Sequence, residues 1–210
     1  MKENLTEIVF ILDRSGSMRP LTDDTIGGYN GYIKSQQEEQ GETYLTTVLF
    51  SDKHCFLHDH VNIKDVKPIT SNEYSAFGGT ALMDAIGDTI NIVGNRLSNT
   101  PEEERPSHVI FVITTDGYEN ASKEYARDQI KRMIEHQQEK YSWEFLFLGA
   151  GIDAYEEAYS IGIGGMRAMS VTTDSLGTQN VYCSIANASK SIRSSNSIAD
   201  EKWKVGDVGR

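Results

Sequence analysis

Cysteine is scarce in this chain. Its two thiols, Cys55 and Cys183, lie far apart and no CxxC occurs, so no disulfide framework or thiolate-metal cluster organises the fold. A pair of free thiols fits a reducing compartment, and one long-range bridge stays open as the alternative. Basic charge is also short: 20 Lys and Arg against 31 Asp and Glu give a net charge of −11. A general nucleic-acid binder needs a basic face for phosphates, and an anionic membrane attracts basic segments; the balance argues against both. The last 35 residues carry five bases and three acids, a mildly basic end rather than a polybasic arm. Long apolar runs are missing too. Ile8–Leu12 is too short for a signal-peptide core and is ended by Asp13. No stretch approaches the ~18 apolar residues of a membrane span. Together these absences lead us to expect a soluble, cytoplasmic protein.

What is present is enough for a globular domain. The chain has 210 residues, 38% hydrophobic and 24% charged, which suits one domain that needs no staples. Ile8–Leu12 and His108–Thr115 read as continuous, β-rich runs of the kind found in central parallel strands covered on both faces. Thr43–Phe50 and His54–Val61, split by Ser51-Asp52-Lys53, read as a hairpin whose second strand lies antiparallel at an edge. Trp143–Leu148 and Met166–Val171 supply two more strands. Between them lie helical patterns at about 21–37, 80–97, 122–140, 153–161 and 174–194. The second is clearest, with Leu82, Ile86, Ile90, Val93 and Leu97 at steps of four and three. Asp153 and Glu156 make a D-x-x-E start for the fourth. Gly28 and Gly31 leave one face of the first helix bare, which predicts close approach to the sheet. The expected fold is α/β: a doubly wound, mostly parallel six-stranded sheet with one antiparallel edge strand and helices on both faces. Residues 1–195 form the single domain and 196–210 a loose tail, although Trp203 could dock it.

In such sheets ligands bind beyond the carboxyl ends of the strands. Three loops there carry small oxygen ligands. Asp13-Arg-Ser15-Gly-Ser17 follows the first buried strand, Gly78-Gly-Thr80 opens the amphipathic helix, and Thr115-Asp116-Gly117 follows the second buried strand. Two carboxylates and three hydroxyls, with no His or Cys, suit a hard cation: Mg²⁺ before Ca²⁺, with Mn²⁺ as a substitute. Any one of these loops alone would read as a helix cap or turn. Their joint order and placement point to a metal site at Asp13, Ser15, Ser17, Thr80 and Asp116.

Asp13-x-Ser15-x-Ser17 with Thr80 and Asp116 resembles the metal-ion-dependent adhesion site (MIDAS) of von Willebrand factor A (VWA) domains. The resemblance covers about residues 5–195, and all five positions hold the family's residue types. FILDRSGSM and FGGTALMDAIG are most similar to small intracellular microbial members, some of them associated with tellurium resistance. The resemblance implies a Rossmann-like fold. It implies that Ser15, Ser17 and Thr80 coordinate Mg²⁺ directly, and that Asp13 and Asp116 act mainly through bound waters. It also implies that an Asp or Glu of a partner protein takes the remaining position. Neutral direct ligands would leave the cation strongly attractive to that outside carboxylate.

Other signals carry less. His54, His58 and His60 are placed to share one face of a strand, as a zinc or copper site or simply as a polar edge that discourages pairing. Gly149-Ala-Gly-Ile-Asp-Ala154 matches a dinucleotide fingerprint, but Asp153 stands where a pyrophosphate would lie. Ser15 and Ser17 lack a G-x-S-x-G setting and no GxxxxGK[ST] occurs, so no residue is assigned a catalytic role. The expectation is a non-enzymatic, Mg²⁺-dependent protein-binding domain. A hydrolase or phosphoryl-transfer enzyme using the same metal is the alternative, and a scaffold locked by its metal is a third.

Overall fold

The computed structural model describes residues 1–195, 197, 198 and 200–209. The undescribed residues 196, 199 and 210 fall in the expected tail. The elements run β1 (Lys2–Asp13), α1 (Thr22–Gln37), β2 (Glu42–Phe50), β3 (His54–Asn62), α2 (Leu82–Asn99), β4 (Pro106–Thr115), α3 (Arg127–Tyr141), β5 (Glu144–Ala150), α4 (Ala154–Ser160), β6 (Ala168–Val171) and α5 (Ser175–Ser195). They build one six-stranded sheet in the order β3-β2-β1-β4-β5-β6. Every pairing is parallel except β2 with β3. The expected doubly wound sheet with one antiparallel edge is therefore present.

Alternation explains why the central strands read as unbroken apolar runs. Ile8, Phe10 and Leu12 of β1, with Ile110 and Val112 of β4, pack into a layer under α1 and α5. Val9, Ile11, Phe111 and Ile113 pack on the other face under α2, α3 and α4. Both faces are buried, so both side-chain sets must be apolar. The α2 stripe Leu82, Ile86, Ile90, Val93 and Leu97 is buried in that second layer.

Four details differ from the sequence reading. First, α3 begins at Arg127 rather than near 122. The preceding segment is held open because Asp84 of α2 accepts the backbone N–H groups of Lys123, Glu124 and Tyr125 at 2.8–3.0 Å. A distant carboxylate satisfies the donors that a helix would otherwise use. Second, Gly28 faces α5 rather than the sheet. A Cβ there would run into the Tyr182 ring, whereas one at Gly31 would meet nothing within 4 Å.

Third, the three histidines of β3 do not converge. The β2–β3 pairing shifts register twice near Thr47, and each bulge breaks the alternation of faces. His54 Nε2 lies 3.3 Å from Asp88 of α2, His58 Nδ1 lies 3.4 Å from the Tyr29 hydroxyl of α1, and His60 Nδ1 lies 2.7 Å from Glu7 of β1. Among the described residues no group of three or more His, Cys, Asp or Glu side chains is placed to hold a metal ion. Fourth, the stretch after α5 is docked. Ile198 and Trp203 are buried in the α1/α5 layer, and the Trp203 indole N–H donates to the Met166 carbonyl at 3.1 Å. Val208 N–H donates to the Ser170 carbonyl of β6 at 2.9 Å.

Candidate metal centre

The three oxygen-bearing loops meet above the carboxyl ends of β1 and β4. β1 ends on Asp13, which is fully buried. Its Oδ1 accepts the Ser15 N–H at 2.6 Å and its Oδ2 accepts the Thr115 hydroxyl at 2.6 Å. One carboxylate thus ties the loop after β1 to the end of β4. Its backbone carbonyl also accepts the Tyr74 hydroxyl at 2.6 Å. The Ser15 and Ser17 hydroxyl oxygens stand 3.1 Å apart, and Ser17 donates to Asp116 at 2.5 Å.

Thr80 is brought in by its backbone. Its N–H donates to Asn120 Oδ1 at 2.9 Å, and its carbonyl accepts the Asn120 N–H at 3.1 Å. Before it, Gly78 takes φ +76°, a conformation costly for any residue with a Cβ. Gly79 N–H donates to Asp52 Oδ1 at 2.7 Å. A Cβ at Gly79 would stand 2.8 Å from Asp52 Oδ1 and 2.9 Å from Asn120 Oδ1. Both glycines are needed to let Thr80 approach.

Gly117 locates the hydroxyls relative to one another. A Cβ built there would lie 3.4 Å from Thr80 Oγ1 and 3.7 Å from Ser17 Oγ. The missing side chain leaves a small concavity bounded by Ser17, Thr80 and, through its bond to Ser17, Asp116. Burial pushes the Asp13 carboxyl up to about 6, against the pull of its Thr115 and Ser15 hydrogen bonds, and the Asp116 charge adds to the rise. Burial raises Asp116 as well, partly offset by Ser17. A cation bound beside them would offset the burial penalty on their charged forms. The donor set fits one: every atom is oxygen, as a hard divalent ion prefers.

The structure brings Asp13, Ser15, Ser17, Thr80 and Asp116 into this one region. It adds residues the sequence reading did not single out. Asn120 and Asp52 hold the Thr80 loop, Thr115 turns its hydroxyl inward to Asp13, and Tyr74 caps the end of β1. Glu119 fixes the loop after Asp116 by accepting N–H groups of Met83, Ala121 and Ser122 at 2.7–2.9 Å. Their partners lie 27 to 102 residues away or in an irregular loop, so no local pattern marks them. At the Gly149–Ala154 turn, Asp153 caps α4 by accepting Glu156 N–H at 2.9 Å. That carboxylate fills the place of a phosphate, as the charge argument expects.

No protein-family model matches this sequence, and no curated protein matches it. Solved structures do match in shape. Proximal thread matrix protein 1 from the mussel byssus, with a zinc-occupied MIDAS motif, is 18% identical over 86% of this chain and 45% of its own, with a TM-score of 0.56. A von Willebrand factor type A protein from Catenulispora acidiphila is 14% identical over 90% of this chain and 43% of its own, at 0.57. Manganese-loaded TRAP protein from Plasmodium vivax is 15% identical over 86% of this chain and 73% of its own, at 0.59. The chain thus spans under half the length of the first two proteins. The fold of this chain is that of the von Willebrand factor A domains.

Proposed function

We propose that Asp13, Ser15, Ser17, Thr80 and Asp116 form a divalent-cation site, for Mg²⁺ in the cell, and that this site captures an Asp or Glu side chain of a partner protein. The observation that carries the reading is the bare Gly117 concavity with Ser17 and Thr80 oxygens on its wall. Ser15, Ser17 and Thr80 would offer neutral hydroxyl oxygens. Asp13 and Asp116 would hold those hydroxyls in place and balance charge. Bound there, the cation would supply an electropositive centre for an outside carboxylate. The zinc-occupied MIDAS motif of the mussel protein and the manganese-loaded TRAP structure support a divalent cation in this fold. We read the chain as a binding module rather than an enzyme. A cytoplasmic location belongs to the same reading and is supported by the free thiols of Cys55 and Cys183.

The test is calorimetric titration of chelator-stripped protein with Mg²⁺ and Mn²⁺, with and without added acetate. One-to-one binding is expected, lost in Ser15→Ala/Ser17→Ala and weakened in Gly117→Ala, whose methyl enters the concavity. Absence of binding to wild type even with acetate would sink the reading. Capture of a verified partner is expected to need the metal and to fail in Thr80→Ala. Metal-dependent turnover of generic phosphate esters, lost in Asp13→Ala, would replace the binding module by a hydrolase.

A further inference from the structure

At the opposite end of the sheet, the C-terminal halves of α2 and α3 and the start of β4 enclose a groove of about 760 Å³. Small-molecule sites run roughly 300–1,000 Å³. The floor is formed by the edges of Ile90, Val109 and Trp143, which are otherwise buried in the core. Trp143 is fixed by stacking on Phe111, with ring centroids 5.2 Å apart. Gly94 keeps the floor open: a Cβ there would lie 4.0 Å from Trp143 Cη2 and meet nothing nearer. A longer side chain at 94 would stand in the groove.

The wall is of the other character. Arg105, His136 and Lys140 line it, against a single carboxylate, Glu102. Arg105 donates Nε to the Thr100 carbonyl at 2.8 Å and Nη2 to the Ser98 carbonyl at 3.2 Å. It thereby closes the end of α2. His136 meets the Tyr141 ring edge-on at 5.8 Å. Lys140 is exposed and has no ion-pair or hydrogen-bond partner among the described residues. In a chain of net charge −11, a concave patch with two cations, an imidazole and one acid is an anomaly of sign. An apolar floor beside the Lys140 ammonium is the make-up of a site for a ligand with one apolar and one anionic end.

We propose that this groove binds a small amphipathic carboxylate, its hydrocarbon or aromatic body on Ile90, Val109 and Trp143 and its carboxylate at Lys140. The site is separate from the metal loops and does not depend on the reading given to them. The test uses the full chain in excess chelator, so that no metal can hold the carboxylate. Equilibrium dialysis with 1-naphthoate and decanoate is expected to give saturable one-to-one binding with quenching of tryptophan emission. Gly94→Leu, which fills the groove and favours the helix, is expected to abolish it. Lys140→Glu is expected to weaken it about tenfold or more, the worth of one charge-assisted hydrogen bond, without moving the melting temperature. The uncharged 1-naphthalenemethanol is expected to bind more weakly by a similar factor. No binding of either acid, equal binding of the alcohol, or binding unchanged in Gly94→Leu would each overturn the proposal. Binding of an acidic peptide with neither small acid would overturn it in favour of a protein-docking groove.

Discussion

Asp13 is the residue on which the candidate centre turns, because a single side chain joins two strands' ends and positions the serine loop. Its place could be read from the sequence: an Asp that ends a buried apolar run has nowhere to lie but at the sheet's carboxyl edge. The same logic located Ser15, Ser17, Thr80 and Asp116. It could not locate Asn120 or Asp52, whose roles arise from backbone groups they meet across the loops. His58 illustrates a residue whose environment depends on register. Desolvation against α1 lowers its pKa from the usual histidine value. The unfolded chain therefore takes up a proton at higher pH than the folded one, and stability present above about 6.5 is lost as pH falls through that range. The melting temperature of wild type is expected to drop more between pH 7.5 and 5.5 than that of His58→Gln; equal drops would contradict this.

The elements were legible in type and order because the two periodicities are clean. The unbroken apolar run of β1, buried on both faces, and the four-three stripe of α2 left little choice. What remained hidden was which neighbour each face meets. The glycines of α1 show this: spacing marked Gly28 and Gly31 as a bare stripe, but only Gly28 is pressed against a side chain, Tyr182 of α5. The two positions are thus expected to respond in opposite directions. Gly31→Ala gains helix propensity and stabilises by roughly 0.5–1 kcal/mol. Gly28→Ala gains the same propensity but overpacks the α1–α5 contact, for a net destabilisation of about 1–2 kcal/mol. Chemical denaturation of the two variants beside wild type checks the pair, and a stabilised Gly28→Ala would show that Tyr182 yields freely.

At the scale of the molecule, the two edges of the sheet are treated differently. The β3 edge carries polar side chains and bulges, which hinder edge-to-edge pairing. The β6 edge is covered by the chain's own last residues. Ser170 N–H donates to Asp207 and the Ser170 carbonyl accepts Val208 N–H. The Lys204 ammonium, buried beside the Tyr155 ring at 4.8 Å, donates to the Gly165 carbonyl at 2.9 Å. The sequence hinted at this only through Trp203, since extended segments that dock by backbone contacts carry no periodicity. Ending the chain after Ser195 removes a buried Trp and bares β6. A loss of about 3–5 kcal/mol is expected by analogy with Trp→Ala changes, together with concentration-dependent aggregation by light scattering. An unchanged denaturation midpoint would show the docking to be idle.

The carboxylates and amides that stitch the loops around Ser17 and Thr80 have a consequence in time rather than in space. Asp52, Asp84, Glu119 and Asn120 hold backbone N–H groups of neighbouring loops instead of waiting for an ion to gather them. The ordering entropy of the three loops is met when the chain folds. Amide hydrogens of Gly79, Thr80 and Lys123 to Tyr125 are therefore expected to exchange slowly in chelator, at rates that added Mg²⁺ changes little. Ion arrival would then be a local event limited by dehydration of the cation, and not by the assembly of its cradle.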